Sequence, residues 1–558
     1  MQIPSPAIVT RQAVRRLPRG WLLALCVVYA FMGVVGRDPW KSNDLTSFGY
    51  MLSLRDGISG WLSLQMAGQS PELDALAPYW LGVGAMNLLP FLSADLAARV
   101  FFALLNLFGM FCLWQGIYFL ARNPQAQPVA FAFGGEASPK DYAHAMADAG
   151  LLAYLASLGL ALPSHEITPM AMQLQCVCIV FAGTASLAFH PRLGLTGVLI
   201  GGWLLSLSGA PTLATLLLGG VLLLWQMNPQ SVLRDVLWLF VGLAWVIGWN
   251  TAIDLWQWRM TSWAELVAHA RETLELMVWF LWPVWPMALW TLWKWGKHWR
   301  HQVWTQHLTL PIFFLLVTWV ASVLTSNRDR TLLLTLPSLA ALAAFALPTF
   351  NRAAAALVDW FTLVFFTGGA LAVWVVWFSL QTGVPAQPAL NVERLVPGYV
   401  NVFNPWTFTL ALAATCAWML VIRWRIGRHP PAIWKSLVLP ASGASLCWLL
   451  LMTLWLPILD QALSYRVWAE QIHEQLQQPA CVQYHHLERH QYAGLNHHGT
   501  FKLIADQIEN PNCPWLLNKS GHLGSPTHPL DTQTWQWVMT LERPGDKSDK
   551  LDIYQRRS

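Results

Sequence analysis

The chain has 558 residues, of which 55% are hydrophobic and only 11% are charged, with 35 tryptophans; a soluble globular domain carries roughly 25% charged residues. This composition excludes a water-soluble globular protein and indicates a polytopic membrane protein. The net charge of +5 comes from lysines and arginines placed between apolar runs, so it reads as a topology signal and not as a nucleic-acid footprint.

Residues 1–20 carry Arg11, Arg15, Arg16 and Arg19, and the apolar run from Trp21 has no small-residue cleavage site. The start of the chain is therefore read as an uncleaved anchor with a cytoplasmic amino terminus. About thirteen apolar runs are long enough for a bilayer core of about 30 Å. They begin near Trp21, Val100, Ala147, Pro169, Leu193, Ala210, Val232, Leu276, Leu308, Leu332, Ala355, Trp406 and Val438. Alternating from a cytoplasmic start, the inner side holds sixteen lysines and arginines and the outer side nine, the bias of the positive-inside rule. The expected location is a cell inner membrane, with the carboxyl tail on the periplasmic side.

The first outer loop, 37–78, opens with Arg37-Asp38-Pro39-Trp40-Lys41-Ser42-Asn43-Asp44. From Asp44, Leu45, Phe48, Met51, Leu52 and Leu54 recur at helical spacing, which predicts an amphipathic helix lying on the membrane surface. Later outer loops hold His165-Glu166, Arg259 with Trp256 and Trp258, and Arg328 with Arg330. After Asp460 charge and histidine content rise, and strand-like pieces alternate with a helical Tyr465 to Gln478.

The predicted organisation is a cytoplasmic terminus 1–20, a transmembrane region 21–460 and a periplasmic α/β domain 461–558. Cys481 and Cys513 both fall in that domain, in an oxidising compartment, and are expected to form a disulfide. The histidines near 485–498 lack a cysteine or carboxylate at the tight spacing of a structural metal site, and no divalent-metal site is assigned.

Three outer loops thus supply Asp44, His165 with Glu166, and Arg328 with Arg330. Charges at a bilayer surface are costly unless hydrated or paired, so a mixed-sign cluster is a candidate functional site. A carboxylate can act as general base toward a hydroxyl. Guanidinium groups bind phosphate bidentately and stabilise charge on a leaving phosphate. Asp44 and Glu166 are the expected catalytic acids. Arg330, Arg328 and Lys41 are expected at a donor phosphate, with His165 and Arg259 in support. Each has a structural alternative. Asp44 also fits a helix cap, His165-Glu166 a span start, Arg328 and Arg330 interface anchors, and Lys41 and Arg259 snorkelling side chains.

The order of features resembles the GT-C class of integral-membrane glycosyltransferases, in particular the protein-mannosyltransferase and aminoarabinose (4-amino-4-deoxy-L-arabinose) transferase group. Pro39-Trp40 and Asn43-Asp44 resemble its Trp and Pro-Asp-Glu element, and Glu166 stands where the group shows an aspartate. Ser208-Gly209-Ala210-Pro211 resembles its Lys-Gly-Pro turn, and Ser326 to Pro337, with Arg330 and Leu332-Leu333, resembles its Lys-x-x-Arg-Tyr-Leu-Leu-Pro segment. The family's lysine and tyrosine in that segment are Asn327 and Thr331 here. The resemblance implies an inverting enzyme that uses a polyisoprenyl-phosphate-linked sugar, with Asp44 matching the catalytic acid and a lipid, glycan or protein as acceptor. Two rival readings are a transporter or flippase of a lipid-linked glycan and an inactive envelope-assembly protein. A transporter should show paired repeats and mid-membrane charges, and the charges here lie near span ends.

Overall fold

The computed structural model describes residues 5–557 except 257–260, 302–304, 326–327, 428–431, 507–512, 522–523, 526–527 and 532, with backbone only at 263, 266, 298–301, 524–525 and 528–529. The molecule is mostly helical, with a small mixed sheet at its carboxyl end. Among the described residues, eight helices are long and apolar enough to cross a membrane, or up to ten if two bent pairs each count as one span. The bent pairs are Pro139–Leu155 with Leu158–His165, at 65°, and Ala270–Phe280 with Val284–Lys297, at 88°.

Three further apolar segments of the expected thirteen form the shorter helices Arg19–Phe31, Pro191–Leu207 and Pro211–Gln226. At 1.5 Å per residue such helices fall short of a bilayer core of about 30 Å. The expectation of thirteen full-length spans is corrected accordingly: every segment is helical, but not every one is of spanning length. The protein is a multi-pass membrane protein.

The described residues group into two compact units whose limits do not follow the linear division 1–20, 21–460 and 461–558. One unit comprises residues 1–34, 99–371 and 408–452; the other comprises 35–98, 372–407 and 453–558.

In the first unit, burial separates inner from peripheral helices. Pro169–Ser186 is 89% buried and Arg328–Thr349 is 94% buried, whereas Leu233–Ala252 is 22% buried; the last exposes Leu237, Trp238, Phe240, Val241 and Trp245, a face suited to lipid. Proline opens Pro169–Ser186, Pro191–Leu207 and Pro211–Gln226, where its missing N–H costs nothing. Pro169–Ser186 and Pro191–Leu207 pack closely because a Cβ at Gly183 would lie 2.7 Å from the Val198 nitrogen, the small-residue contact typical of membrane helices.

In the second unit, the helix Asn43–Arg55 corrects the expectation of a surface-lying amphipathic helix. Leu45, Phe48, Tyr50 and Met51 are fully buried, and so are the small residues between them, Ser47, Gly49 and Ser53. The small face is a packing face. A Cβ at Gly49 would lie 2.6 Å from the Ala493 Cβ on the helix Arg489–His498, and Met51 fills the space a Cβ at Gly82 would need. Phe48 meets His497 edge-on at 4.8 Å. Exposed apolar side chains occur instead just beyond the helix, at Ile58, Trp61 and Leu62.

The tail strands are β1 (Cys481–His485), β2 (Lys502–Ala505), β3 (Trp515–Lys519), β4 (Gly524–Ser525), β5 (His528–Pro529), β6 (Trp535–Arg543) and β7 (Asp546–Arg556). Five form one sheet in the order β2-β1-β3-β7-β6, and β4 and β5 form a separate pair. β1 runs parallel to β2 and β3; β3, β7 and β6 are antiparallel. Leu516, Leu530, Trp535 and Tyr554 cluster in its core.

Cys481 and Cys513 are joined by a disulfide across 32 residues. Closing a loop of that size restricts the unfolded chain enough to contribute about 3–4 kcal/mol. The Cys481→Ser/Cys513→Ser variant should therefore unfold its sheet at a lower temperature than the wild type, as followed by circular dichroism in detergent. An unchanged midpoint would deny the bridge a stabilising role.

His498 ends the helix Arg489–His498 and is half-buried, with its side chain largely enclosed. Burial and the neighbouring His497 pull its imidazole down from 6.5 to about 4, against the opposing pull of the Asp38 carboxylate 3.8 Å away. Its neutral form is favoured in the fold, so its contribution to stability is complete above 6.5 and is lost as pH falls toward 4. Lowering pH from 7 to 5 should destabilise this unit by about 2 kcal/mol, and His498→Gln should flatten that dependence in thermal melts.

Candidate active site

Asp44 lies in the first turn of Asn43–Arg55 and is 3% exposed. Its Oδ2 accepts from Arg37 Nη2 at 3.2 Å and from the Trp40 backbone N–H at 3.3 Å. Arg37 is itself buried, with its guanidinium carbon 4.9 Å from the Trp40 ring centre. A buried carboxylate is tolerated only when paired and hydrogen-bonded, and Arg37 and Trp40 meet that requirement from within eight residues of sequence. Asp44 thus does more than cap a helix, since the capping position belongs to Ser42, whose side chain makes no cap hydrogen bond.

The loop leading to Asp44 is stitched to the tail segment of the same unit. The Asp38 backbone N–H and the Trp40 indole both donate to Asp460 Oδ1, at 2.8 and 3.0 Å. The Asp38 carboxylate accepts from Ser464 Oγ at 2.7 Å and pairs with Arg466. Burial alone would raise the Asp38 carboxyl, but the Ser464 hydrogen bond and the Arg466 guanidinium lower it.

Lys41, expected at a donor phosphate, is engaged elsewhere: its ammonium lies 2.8 Å from Asp546 Oδ2 and 3.0 Å from Asp549 Oδ2, both on β7. Two carboxylates pair with its ammonium, so in this structure Lys41 belongs to an internal ion-pair network. Burial raises the Asp549 carboxyl, and hydrogen bonds from His490, Tyr465, Gln491 and Lys41 outweigh it, holding the group well below the usual carboxylate range.

In the other unit, Glu166 follows the turn Pro163–His165 and is 5% exposed. Arg330 grips it bidentately, Nε to Oε2 at 2.8 Å and Nη2 to Oε1 at 2.6 Å, while Nη1 donates to Asp329 Oδ2 at 2.7 Å. The second acid and the expected phosphate ligand are therefore one charge-assisted pair. His165 is enclosed: Nε2 lies 2.6 Å from the Tyr29 carbonyl oxygen, Nδ1 meets the Ala161 carbonyl, and the ring sits 5.3 and 4.5 Å from the Tyr29 and Trp448 ring centres. With main-chain oxygens at both nitrogens, it holds this turn against the Arg19–Phe31 helix instead of standing open to a substrate. Arg328 is half-buried beside Asp329. Arg259 lies outside the described residues.

Sequence reasoning missed Arg37, Asp38, Asp460, Tyr465, Arg466, Arg543, Asp546 and Asp549. The one signal for Arg37 and Asp38 was two charges immediately after an apolar helix; the tail residues lay in a region where charge is ordinary. Among the described residues, no group of three or more histidine, cysteine, aspartate or glutamate side chains could hold a metal ion.

No protein-family model and no curated protein matches the sequence. Solved structures do. ArnT from Cupriavidus metallidurans bound to undecaprenyl phosphate superposes with a TM-score of 0.62 at 14% identity, over 96% of this chain and 98% of its own. The chain has the fold of this ArnT. The apo state of the same ArnT gives a TM-score of 0.59 at 14% identity, over 96% of this chain and 97% of its own. An Archaeoglobus fulgidus oligosaccharyltransferase tethered with an acceptor peptide aligns over 90% of this chain and 69% of its own at 8% identity, with a TM-score of 0.39, too distant to show a shared fold. At 96% coverage, the likeness to ArnT extends from the helical region into the carboxyl-terminal sheet.

Proposed function

We propose that this protein is a GT-C glycosyltransferase that moves a sugar from a polyisoprenyl-phosphate donor to a lipid, glycan or protein acceptor at the outer face of an inner membrane. The observation that carries the reading is the conjunction of the ArnT-like fold over nearly the whole chain with a buried, paired carboxylate at the head of the first loop. In this reading Asp44 takes the proton of the acceptor hydroxyl or amine as that atom attacks the anomeric carbon. The bond from the anomeric carbon to the phosphate oxygen breaks, its electron pair leaves with the polyisoprenyl phosphate, and the anomeric centre inverts. In the other unit, Arg330 is by itself a candidate ligand for an anionic phosphate, its fork oriented by Glu166. A carboxylate general base contributes typically 10²–10⁴-fold to rate.

Transport of a lipid-linked glycan is the second reading, favoured by the two bent helix pairs, since broken helices mark many transporter sites. Mass analysis of lipid A, surface glycans and periplasmic proteins from wild-type and deletion strains separates them. Transferase activity predicts the loss of one sugar from one acceptor while the lipid-linked donor accumulates on the outer leaflet; confinement of the donor to the inner leaflet would favour transport, and an unchanged envelope would overturn both. The proposed orientation predicts thiol labelling of Val400→Cys from outside and of Phe133→Cys only after permeabilisation, both positions being exposed.

A further inference from the structure

Three of the four residues 38–41 ahead of Asp44 are tied to the carboxyl-terminal part of the second unit. Asp38 is held by Ser464 and Arg466, Trp40 by Asp460, and Lys41 by its backbone N–H to the Leu463 carbonyl and by its ammonium to Asp546 and Asp549. Asp549 is itself fixed by the Tyr465 hydroxyl and by Gln491 Nε2 at 2.8 Å, and Arg543 spans Asp546 at 3.3 Å and the Ala462 carbonyl at 3.0 Å. The clamp is partly shielded: Asp549 is 2% exposed, Lys41 21% and Asp546 28%. Surface ion pairs hold little, but a hydrogen-bonded network shielded from water holds a loop in one geometry.

We infer that Lys41, Asp546 and Asp549 form a charge clamp through which the carboxyl-terminal domain sets the position of Asp44, making them positioning residues of the transfer reaction. The inference rests on Asp44 being the proton acceptor, as proposed above. Lys41 lies three residues from Asp44, and the Leu45 N–H returns to the Trp40 carbonyl at 3.0 Å, so the clamp and the acid share one rigid turn. A carboxylate displaced by about 1 Å loses much of its reactivity. The domain is then a working part of the transferase and not an appended module.

The test uses the full chain in detergent micelles, with Lys41→Met, Asp549→Asn, their double variant and Lys41→Arg. Hydrogen exchange of amides 38–45 should be about tenfold faster in both single variants, no faster in the double than in either single, and restored toward the wild type by Lys41→Arg. Binding of undecaprenyl phosphate should stay within about twofold of the wild type in all four, whereas sugar transfer to the envelope in a complemented deletion strain should fall about tenfold in the first three. Unchanged exchange would overturn the clamp. A tenfold weaker undecaprenyl phosphate affinity in Lys41→Met alone would overturn it in favour of Lys41 as a donor ligand. The Asp44→Asn variant keeps the two failures apart: if it transfers sugar normally the base assignment is lost, while the exchange result still judges the clamp.

Discussion

Asp44→Asn is expected to lower sugar transfer by about 10²–10⁴-fold, the range for removing a general base, with the protein still folded. Asparagine is nearly isosteric and retains an oxygen to accept from Arg37 and the Trp40 N–H, so the packing of Asn43–Arg55 survives. What disappears is the charge and the capacity to take a proton. Asp44→Ala removes the acceptor oxygen as well and leaves the buried Arg37 guanidinium without this carboxylate. Breaking a buried ion pair in that way costs about 3–5 kcal/mol. Both variants remove the counter-charge of the buried Arg37, so both should be inactive and melt below the wild type, with Asp44→Ala the lower because it also loses the accepting oxygen. Wild-type transfer by Asp44→Asn in a complemented deletion strain would remove Asp44 from the chemistry.

The second large effect is expected at Arg330. Its fork is matched to Glu166 by two parallel hydrogen bonds and tied by a third to Asp329, so its orientation is set before any donor arrives. Arg330→Met should weaken undecaprenyl phosphate binding about 10- to 100-fold, the loss of one charge-assisted phosphate contact. Arg330→Lys should not rescue it, because an ammonium cannot reproduce the planar fork. If Glu166 acts by orienting Arg330, then Glu166→Gln costs transfer about tenfold and adds nothing on top of Arg330→Met, the non-additivity expected of two members of one network. Additive losses in the Glu166→Gln/Arg330→Met variant would instead restore Glu166 as an independent catalytic acid.

The parts of this architecture legible beforehand are those encoded locally. Apolar runs from Trp21 to Val438 each correspond to a helix or a bent helix pair, because a backbone in hydrocarbon must satisfy its own hydrogen bonds within the segment. The rise in charge after Asp460 marked the α/β tail for the same local reason. Asp44 stood out as a carboxylate at the head of a loop beside an apolar span. The role of the helix that follows it did not. Ser47, Gly49 and Ser53 look like a solvent face in one dimension, but all three are buried, and Ala493 and Met66 of the same unit press against Gly49.

The partners of the charged residues were illegible for a related reason. Lys41 and Asp546 are 505 residues apart in sequence, and Glu166 and Arg330 are 164 apart. A lysine near a candidate phosphate site reads as a phosphate ligand until its counter-ions are located.

By itself the sequence determined a polytopic helical membrane protein with a small tail domain and a short set of charged residues worth testing, because hydrophobicity and charge are properties of each segment alone. Only the tertiary structure decided which of those charges are paired, that Lys41 faces β7 and that Glu166 and Arg330 form one unit. Coulombic pairing in a low-dielectric interior depends on separations of a few ångströms in space, and spacing along the chain does not encode them.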